Sequence, residues 1–190
     1  MLYRFAVRLI RIFAHVFYRF EVTGREHVPD EGAVILCSNH IHTFDCLLLA
    51  IFTKRQIFYM AKKELFENRL IGALLRRVGA FPVDRGNTDL KAFRHTMEVL
   101  KSGKALGIFS QGTRTQDFDN VKSGVGMFAL KSGAPIVPVG IKGTYRIFSR
   151  VRLSFGPLIS MEQYQGRKVK SDLIEEVMAD VVSKVSELAI

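Results

Sequence analysis

The chain has 190 residues, of which 48% are hydrophobic, and it carries a formal net charge of +10 at pH 7. Its length suits one domain with a substantial core, and its hydrophobic content excludes an intrinsically disordered chain. The excess of positive charge indicates an anionic partner: nucleic acid, anionic lipid headgroups or a phosphorylated substrate. The two cysteines, Cys37 and Cys46, lie in or beside apolar runs, which fits a reducing compartment and argues against a disulfide scaffold.

The first 20 residues contain no acidic side chain, and basic residues interrupt them at nearly every third or fourth position: Arg4, Arg8, Arg11, His15 and Arg19. On a helix these side chains fall within a sector of roughly 80°, and the remaining surface is apolar or aromatic. The charges are too frequent for a membrane-spanning helix or a signal peptide. The pattern predicts an amphipathic helix over residues 1–20 that lies in the membrane interface, ahead of one domain over residues 21–190. The alternative is a helix packed on that domain with its arginine stripe in water.

A polar turn, SNHIHTFD, occupies residues 38–45 between an apolar run that predicts a buried strand and an apolar run that predicts a helix. Histidine can move a proton near neutral pH, and a nearby carboxylate can hold its ring in one tautomer. The turn therefore predicts an acid/base pair of Asp45 with His40 or His42. In the alternative, Asp45 or Thr43 caps the helix and the histidines only fill the turn.

The same turn groups four residues of the types that bind zinc: Cys37, His40, His42 and Cys46. Their spacing matches no common zinc pattern, and the two cysteines belong to the flanking apolar runs. We therefore expect no metal site here.

Strand and helix patterns alternate along the rest of the chain. Apolar runs predict strands at 57–61, 79–85, 105–109, 135–141 and 151–155. Helical spacing predicts helices at 69–78, 88–101, 124–131 and from about residue 172 onward, the second of them capped by Asn87 or Thr88. This alternation predicts an α/β fold, a single domain with a central, mostly parallel sheet flanked by helices. Because proline cannot donate to a sheet ladder, Pro135 and Pro138 predict that their strand lies at an edge or contains a bulge.

Positively charged residues follow three of the predicted strands. Lys62 and Lys63 follow the strand at 57–61, Arg85 ends the strand at 79–85, and Arg114 lies in the loop after the strand at 105–109. Ammonium and guanidinium groups bind phosphate, and ligands of α/β sheets gather at the carboxyl ends of strands. Each cation taken alone could be a solvated surface residue. Together with the histidine–aspartate turn and the basic first helix, they predict chemistry on a phosphorylated lipid.

At this point the sequence resembles the 1-acylglycerol-3-phosphate acyltransferases of glycerophospholipid synthesis. The resemblance covers roughly residues 20–160 in four ordered blocks. The first is N-H-x-x-x-x-D, here Asn39-His40 through Asp45, and the second is G-x-x-x-x-D-R, here residues 79–85. The third is F-P-E-G-T-R, here FSQGTR at residues 109–114, and the fourth is a V-P-V-type strand at residues 136–139. The order and spacing of the blocks are more specific than any one of them.

The resemblance implies roles for individual residues. His40, rather than His42, would be the general base and Asp45 its partner. The acceptor phosphate would be held by the cations and by the third block: Lys62, Arg85, Gln111, Gly112, Thr113 and Arg114. The third block departs from the family pattern, since Ser110 replaces proline and Gln111 replaces glutamate. Glutamine keeps a carbonyl acceptor but removes a negative charge, which puts acceptor choice or rate in question.

The expected activity is transfer of a fatty acyl group from acyl-CoA or acyl carrier protein to the free hydroxyl of a lysophosphatidate, giving phosphatidic acid. The donor is a substrate, and no further cofactor is expected. We expect membrane lipids as partners, with the protein peripheral on the cytoplasmic face of the cell membrane. The alternatives are an acyltransferase for another lysolipid or glycerol-phosphate acceptor, and a non-catalytic protein that binds anionic lipid. Nucleic-acid binding is disfavoured because the basic residues accompany long apolar runs and form no recognition-helix pattern.

Overall fold

The protein is described by a computed structural model that covers residues 2–84, 89–109 and 118–190. Its helices are α1 (Leu2–Phe17), α2 (Asp45–Phe52), α3 (Arg69–Arg77), α4 (Leu90–Lys101), α5 (Phe118–Ser132) and α6 (Ser171–Leu188). Its strands are β1 (Arg19–Thr23), β2 (Val34–Ser38), β3 (Ile57–Lys62), β4 (Ala80–Val83), β5 (Ala105–Phe109), β6 (Ile136–Gly143) and β7 (Arg150–Phe155). Short 3-10 helices occupy Arg25–His27, Lys63–Phe66 and Glu162–Tyr164.

The strands of the described chain form one sheet in the order β1-β7-β6-β2-β5-β3-β4. The pairs β6–β2, β2–β5, β5–β3 and β3–β4 are parallel, β1 is parallel to β7, and β6 and β7 are antiparallel. The predicted α/β fold with a mostly parallel sheet is therefore confirmed. The carboxyl ends of β2, β5, β3 and β4 all lie at one edge of this sheet.

Strand β2 lies at the centre of the sheet and is buried along its whole length. Its alternate side chains belong to two apolar clusters, Ile35 to one and Leu36 to the other. The first cluster includes residues of α4, α5 and α6, and the second includes residues of α2 and the partly buried face of α1. A strand that is buried on both faces has a continuous run of apolar residues, and this run is why the sequence predicts β2 clearly.

The proline-containing strand, β6, was expected at an edge of the sheet or with a bulge. The edge position is wrong, because β6 lies between β2 and β7. The carbonyl of Pro138 accepts a hydrogen bond from the N–H of Gly156, just beyond the end of β7. In a strand, the N–H and the carbonyl of one residue point to the same side, so the N–H that Pro138 lacks falls where the β6–β7 ladder ends. Pro135 precedes the strand and accepts from Ile35 through its carbonyl at 2.9 Å.

The predicted cap of α4 is also wrong. Asp89, rather than Asn87 or Thr88, is the N-cap, and its Oδ1 accepts from the N–H groups of Lys91 at 3.0 Å and Ala92 at 2.9 Å. Its other oxygen, Oδ2, accepts from the N–H of Asp84 at 3.0 Å. One carboxylate thus starts the helix and ties it to the end of β4.

Helix α1 has three different faces. Val7, Ile10 and Ala14 pack against the second apolar cluster, and the Tyr3 hydroxyl accepts from the Ile57 N–H at 3.3 Å. Arg8 and Arg11 are exposed on one flank. Large apolar side chains remain exposed on the side away from the core: Phe5, Leu9, Ile12, Phe13 and Val16. Thus α1 packs on the domain, as the alternative expects, while a second apolar face is left uncovered by any described residue.

Within the described residues, the structure contains no helix that is both long enough and apolar enough to cross a membrane.

Candidate active site

The candidate site lies where β2 ends at the carboxyl edge of the sheet. Asn39, the residue after the strand, is buried, and its side-chain amide donates to the carbonyl of Ile141 at 2.8 Å. The Asn39 Oδ1 accepts from the Ile141 N–H at 2.7 Å. This side chain therefore continues the β2–β6 pairing with the geometry of a strand partner. It holds the chain in place at the point where His40 begins the turn.

The carboxylate of Asp45 accepts hydrogen bonds from several residues of the turn. It is fully buried at the first position of α2. Its Oδ2 accepts from the His40 Nδ1 at 2.9 Å, the Ile41 N–H at 2.7 Å and the His42 N–H at 2.8 Å. Its Oδ1 accepts from the hydroxyl of Tyr145. These four hydrogen bonds and the amino end of α2 compensate the buried carboxylate for its lost contact with water.

The contacts of Asp45 determine the role of each nitrogen of His40. Because a carboxylate oxygen accepts, Nδ1 carries the hydrogen and Nε2 keeps its lone pair. The ring stacks on Phe109 at the end of β5, with 4.5 Å between centroids and 28° between planes. About a quarter of the His40 side chain, 26%, is exposed. The arrangement can therefore take a proton from a hydroxyl that approaches Nε2.

The two histidines of the turn have different surroundings. His42 contacts Asp45 only through its backbone N–H, while its Nδ1 accepts from the Phe44 N–H at 3.3 Å. Its ring stacks on Tyr145, with 4.3 Å between centroids. The geometry thus pairs the ring of His40, and not that of His42, with the carboxylate.

The capping alternative for the turn is wrong. The N-cap of α2 is Phe44, whose side chain makes no capping hydrogen bond. The backbone groups that Asp45 binds belong to Ile41 and His42, which precede the helix. The carboxylate therefore organises the turn instead of starting the helix.

The described residues contain no group of three or more histidine, cysteine or acidic side chains placed to hold a metal ion. Cys37 is completely buried in the first apolar cluster. Burial raises the pKa of the Cys46 thiol, whose sulfur donates to the Thr43 carbonyl at 3.4 Å.

Tyr145 is a residue of the site that the sequence analysis missed. It follows β6, a hundred residues after Asp45, and nothing in its local sequence marks it. Burial, and then the hydrogen bond to Asp45, raise the pKa of Tyr145 above its usual value, so its hydroxyl remains a donor at neutral pH. Its ring lies between His42 and the edge of Tyr18, 5.9 Å away, which connects the site to the residue that follows α1.

Lys62 ends β3, two strands away from β2 in the sheet, which corresponds to about 10 Å at the usual strand spacing. Its Nζ lies 3.6 Å from a carboxylate oxygen of Glu64, and both side chains are largely exposed. Lys63 instead binds Asp84, with 2.6 Å between Nζ and Oδ2, and this hydrogen bond raises the pKa of Lys63.

The other predicted phosphate ligands lie outside the described residues: Arg85, Gln111, Gly112, Thr113 and Arg114. The chain leads toward them from Asp84, after β4, and from Phe109, the last residue of β5. Strands β5, β3 and β4 are consecutive neighbours beside β2. The segments that carry these predicted ligands therefore start from the edge where His40 and Lys62 are found.

Comparison with known proteins gives a consistent result. The sequence model of the Acyltransferase family matches residues 19–142. The 1-acyl-sn-glycerol-3-phosphate acyltransferase of Bacillus subtilis is 36% identical over 144 residues, which cover 75% of this chain and 72% of that protein. The protein of the same name from Streptococcus pneumoniae is 33% identical over 183 residues, covering 89% of this chain and 68% of its own.

Among solved structures, the fold is similar to that of the 1-acyl-sn-glycerophosphate (LPA) acyltransferase PlsC from Thermotoga maritima, with a TM-score of 0.72. The match covers 98% of this chain and 80% of that chain at 24% sequence identity. At this identity the likeness shows the fold alone.

Proposed function

Because the chain belongs to the acyltransferase family, we propose that it transfers a fatty acyl group from acyl-CoA or acyl carrier protein to 1-acylglycerol 3-phosphate, giving phosphatidic acid. The observation that carries the proposal is the hydrogen bond from His40 Nδ1 to the buried Asp45, which leaves Nε2 ready to accept a proton. The two bacterial relatives, both named 1-acyl-sn-glycerol-3-phosphate acyltransferases, support the choice of acceptor.

In the proposed reaction, His40 Nε2 takes the proton of the acceptor hydroxyl as the oxygen attacks the thioester carbonyl. Asp45 holds the ring in the required tautomer and stabilises the imidazolium that forms. The tetrahedral intermediate then collapses, the carbon–sulfur bond breaks, and the imidazolium returns its proton to the leaving thiolate. The acyl group moves directly between the two substrates, so no acyl-enzyme forms. The raised pKa of Cys46 and the complete burial of Cys37 both argue against a cysteine nucleophile.

The acceptor phosphate requires cations beside the acid/base pair. Lys62 suits this role because its ammonium group is largely exposed and its ion pair with Glu64 is a surface pair, which stabilises little. In the proposal Arg85 and Arg114 complete the phosphate site, and Gln111, Gly112 and Thr113 belong to the same block. In the proposal the acyl donor is a substrate, and the reaction uses no further cofactor.

A lipid acceptor also requires contact with a bilayer. We assign this contact to α1, whose outward face carries exposed phenylalanine, leucine and isoleucine side chains beside Arg8 and Arg11. Such a helix lies in the interface with its apolar face among acyl chains and its arginines near phosphates. The protein would then be monotopic, on the cytoplasmic face where acyl-CoA and acyl carrier protein are found.

The test is acceptor-dependent release of free thiol from acyl-CoA, and separately from acyl carrier protein, with lysophosphatidate in mixed micelles. His40→Ala is expected to lower turnover by about two to four powers of ten, because it removes the general base. His42→Ala is the matched control: it keeps the backbone N–H that binds Asp45 and is expected to retain most of the turnover.

Near-normal turnover by a folded His40→Ala protein would refute the mechanism. Release that depends on glycerol 3-phosphate or another lysolipid instead of lysophosphatidate would keep the acid/base pair and replace the acceptor. Lipid binding with no release from either donor would favour a non-catalytic lipid-binding protein.

A further inference from the structure

The connection between β6 and β7 exposes two large apolar side chains at its tip. Ile147 is 64% exposed and Phe148 is 68% exposed. Phe148 also has a left-handed backbone, with φ of 64°. A bulky side chain rarely adopts this conformation because Cβ crowds the neighbouring carbonyl. The chain therefore keeps an exposed aromatic ring at a backbone position that glycine would occupy without strain. Residues with such strained backbone conformations concentrate at functional segments.

The tip is joined to two parts of the molecule already described. The Phe148 N–H donates to the carbonyl of Phe17, the last residue of α1, at 2.6 Å. Phe17 is itself exposed, so the tip continues the outward apolar face of α1. Three residues earlier on the same connection, Tyr145 donates to Asp45. The exposed apolar surface thus extends from α1 to the segment that supports the acid/base pair.

Basic residues flank this apolar tip in the sequence and in the adjoining strand pair. Arg146 immediately precedes Ile147, and Arg150 lies two residues after Phe148. Arg19, opposite Arg150 in the β1–β7 pair, is also exposed. In the described part of the chain, the acidic neighbour here is Glu21, which lies 3.0 Å from the Arg150 guanidinium. Apolar side chains flanked by guanidinium groups match the boundary of an anionic bilayer, where acyl chains lie beneath phosphates.

We propose that the Ile147–Phe148 tip inserts into a bilayer that contains anionic phospholipid, as a second membrane contact beside α1. The inference rests on the proposed function in that a lipid acceptor gives the contact its purpose. Insertion of the tip brings the segment that carries Tyr145 to the membrane surface, where the lipid acceptor is found. Asp45 and His40 are joined to Tyr145 by hydrogen bonds and so lie near the same surface. The contact itself can be measured without turnover.

The sequence contains no tryptophan, so a single introduced tryptophan can serve as a fluorescent probe of the tip. In Phe148→Trp the indole is the sole tryptophan, and its emission is expected to shift to the blue when vesicles of phosphatidylcholine and phosphatidylglycerol in equal parts are added. Brominated acyl chains in the same vesicles are expected to quench it. The matched control is Leu70→Trp, at an exposed position on α3 that is 84% accessible. Emission that stays unshifted in Phe148→Trp while the protein sediments with the vesicles would overturn the proposal.

A second variant separates insertion from folding. Phe148→Gly removes the ring at a backbone conformation that glycine adopts freely, so thermal stability is expected to stay the same or rise. Vesicle affinity is expected to fall about tenfold, because burial of one aromatic side chain is lost. Unchanged affinity would overturn the proposal. Since neither measurement uses acyl transfer, a protein that inserts its tip but shows no turnover would contradict the proposed function and leave the tip assignment standing.

Discussion

Asp45→Asn tests the acid/base pair most directly, because the structure allows the amide to occupy the same space. The amide oxygen can replace Oδ2 and accept from the N–H groups of Ile41 and His42. The amide nitrogen then faces the hydroxyl of Tyr145, which can act as an acceptor instead of a donor. We therefore expect the variant to fold, with the negative charge beside His40 removed and little else changed.

The expected loss of turnover follows from that charge. An imidazolium and a carboxylate about 4 Å apart attract each other by about 4 kcal/mol at an effective dielectric constant of 20. Each 1.36 kcal/mol corresponds to about a tenfold change in rate, so full loss of this attraction in the transition state would lower turnover by about a thousandfold. Water reaches part of the His40 ring, of which 26% is exposed, and screens the pair. We expect a loss of about 10² to 10³.

The assay is acceptor-dependent thiol release by Asp45→Asn and by the native protein, with circular dichroism and thermal unfolding as the check of the fold. A cooperative transition with the predicted loss of turnover would support the role of the charge. A folded variant whose turnover stays within about threefold of the native value would refute it, since the carboxylate would then act only as a structural acceptor.

Two further changes test the hydrogen bond between Tyr145 and Asp45 and the cap of α4. Tyr145→Phe keeps the ring beside His42 but leaves the buried Oδ1 of Asp45 without its donor, and it is expected to lower the free energy of unfolding by about 1–3 kcal/mol in denaturant titrations. Asp89→Ala removes the cap of α4 and is expected to cost about 1 kcal/mol of stability at neutral pH, measured by thermal unfolding. Backbone hydrogen bonds, with the largest effect from that of Ala92, hold the pKa of Asp89 below its usual value. The difference in stability should therefore begin to shrink as pH falls below about 4 and be lost as the folded carboxylate is protonated.

The outcomes that contradict these predictions are distinct. A Tyr145→Phe protein whose free energy of unfolding equals that of the native protein would show that the hydrogen bond to Asp45 adds no net stability. The pH dependence expected for Asp89 follows from its lowered pKa. The folded state favours the carboxylate, so Asp89 stabilises the fold fully above the pKa of the unfolded chain, and this stabilisation is lost as the group is protonated. A difference between Asp89→Ala and the native protein that did not shrink at all as pH fell from neutral to well below about 4 would contradict this assignment.

The sequence predicted the elements of the fold because each depends on residues that are neighbours in the chain. Apolar runs gave the buried strands, and helical spacing gave the helices, because burial repeats with the period of the local backbone. The pairing of a turn histidine with Asp45 was also predictable, since all three candidates lie within six consecutive positions. The choice of His40 needed the family resemblance in addition, because residue chemistry alone treats the two histidines alike.

The errors arose where a local signal competed with a contact in space. The prolines of β6 suggested an edge strand, but the short β7 ends where Pro138 lacks its donor, so the strand fits inside the sheet. Asn87 and Thr88 are good capping residues, yet Asp89 is the cap and also binds the N–H of Asp84 at the end of β4. Helix α1 was predicted from its arginine stripe, but the stripe could not reveal that Val7 and Ile10 pack on the domain.

Residue patterns within short segments were enough to predict an α/β domain with a histidine and an aspartate in one turn at a strand end. The contacts that hold this pair in place are visible only in the folded chain. Asn39 pairs with Ile141, and Asp45 accepts from Tyr145, across about a hundred residues of chain in each case. These contacts depend on the order of strands in the sheet, which places β6 beside β2, and no periodicity within a short segment of sequence encodes that order.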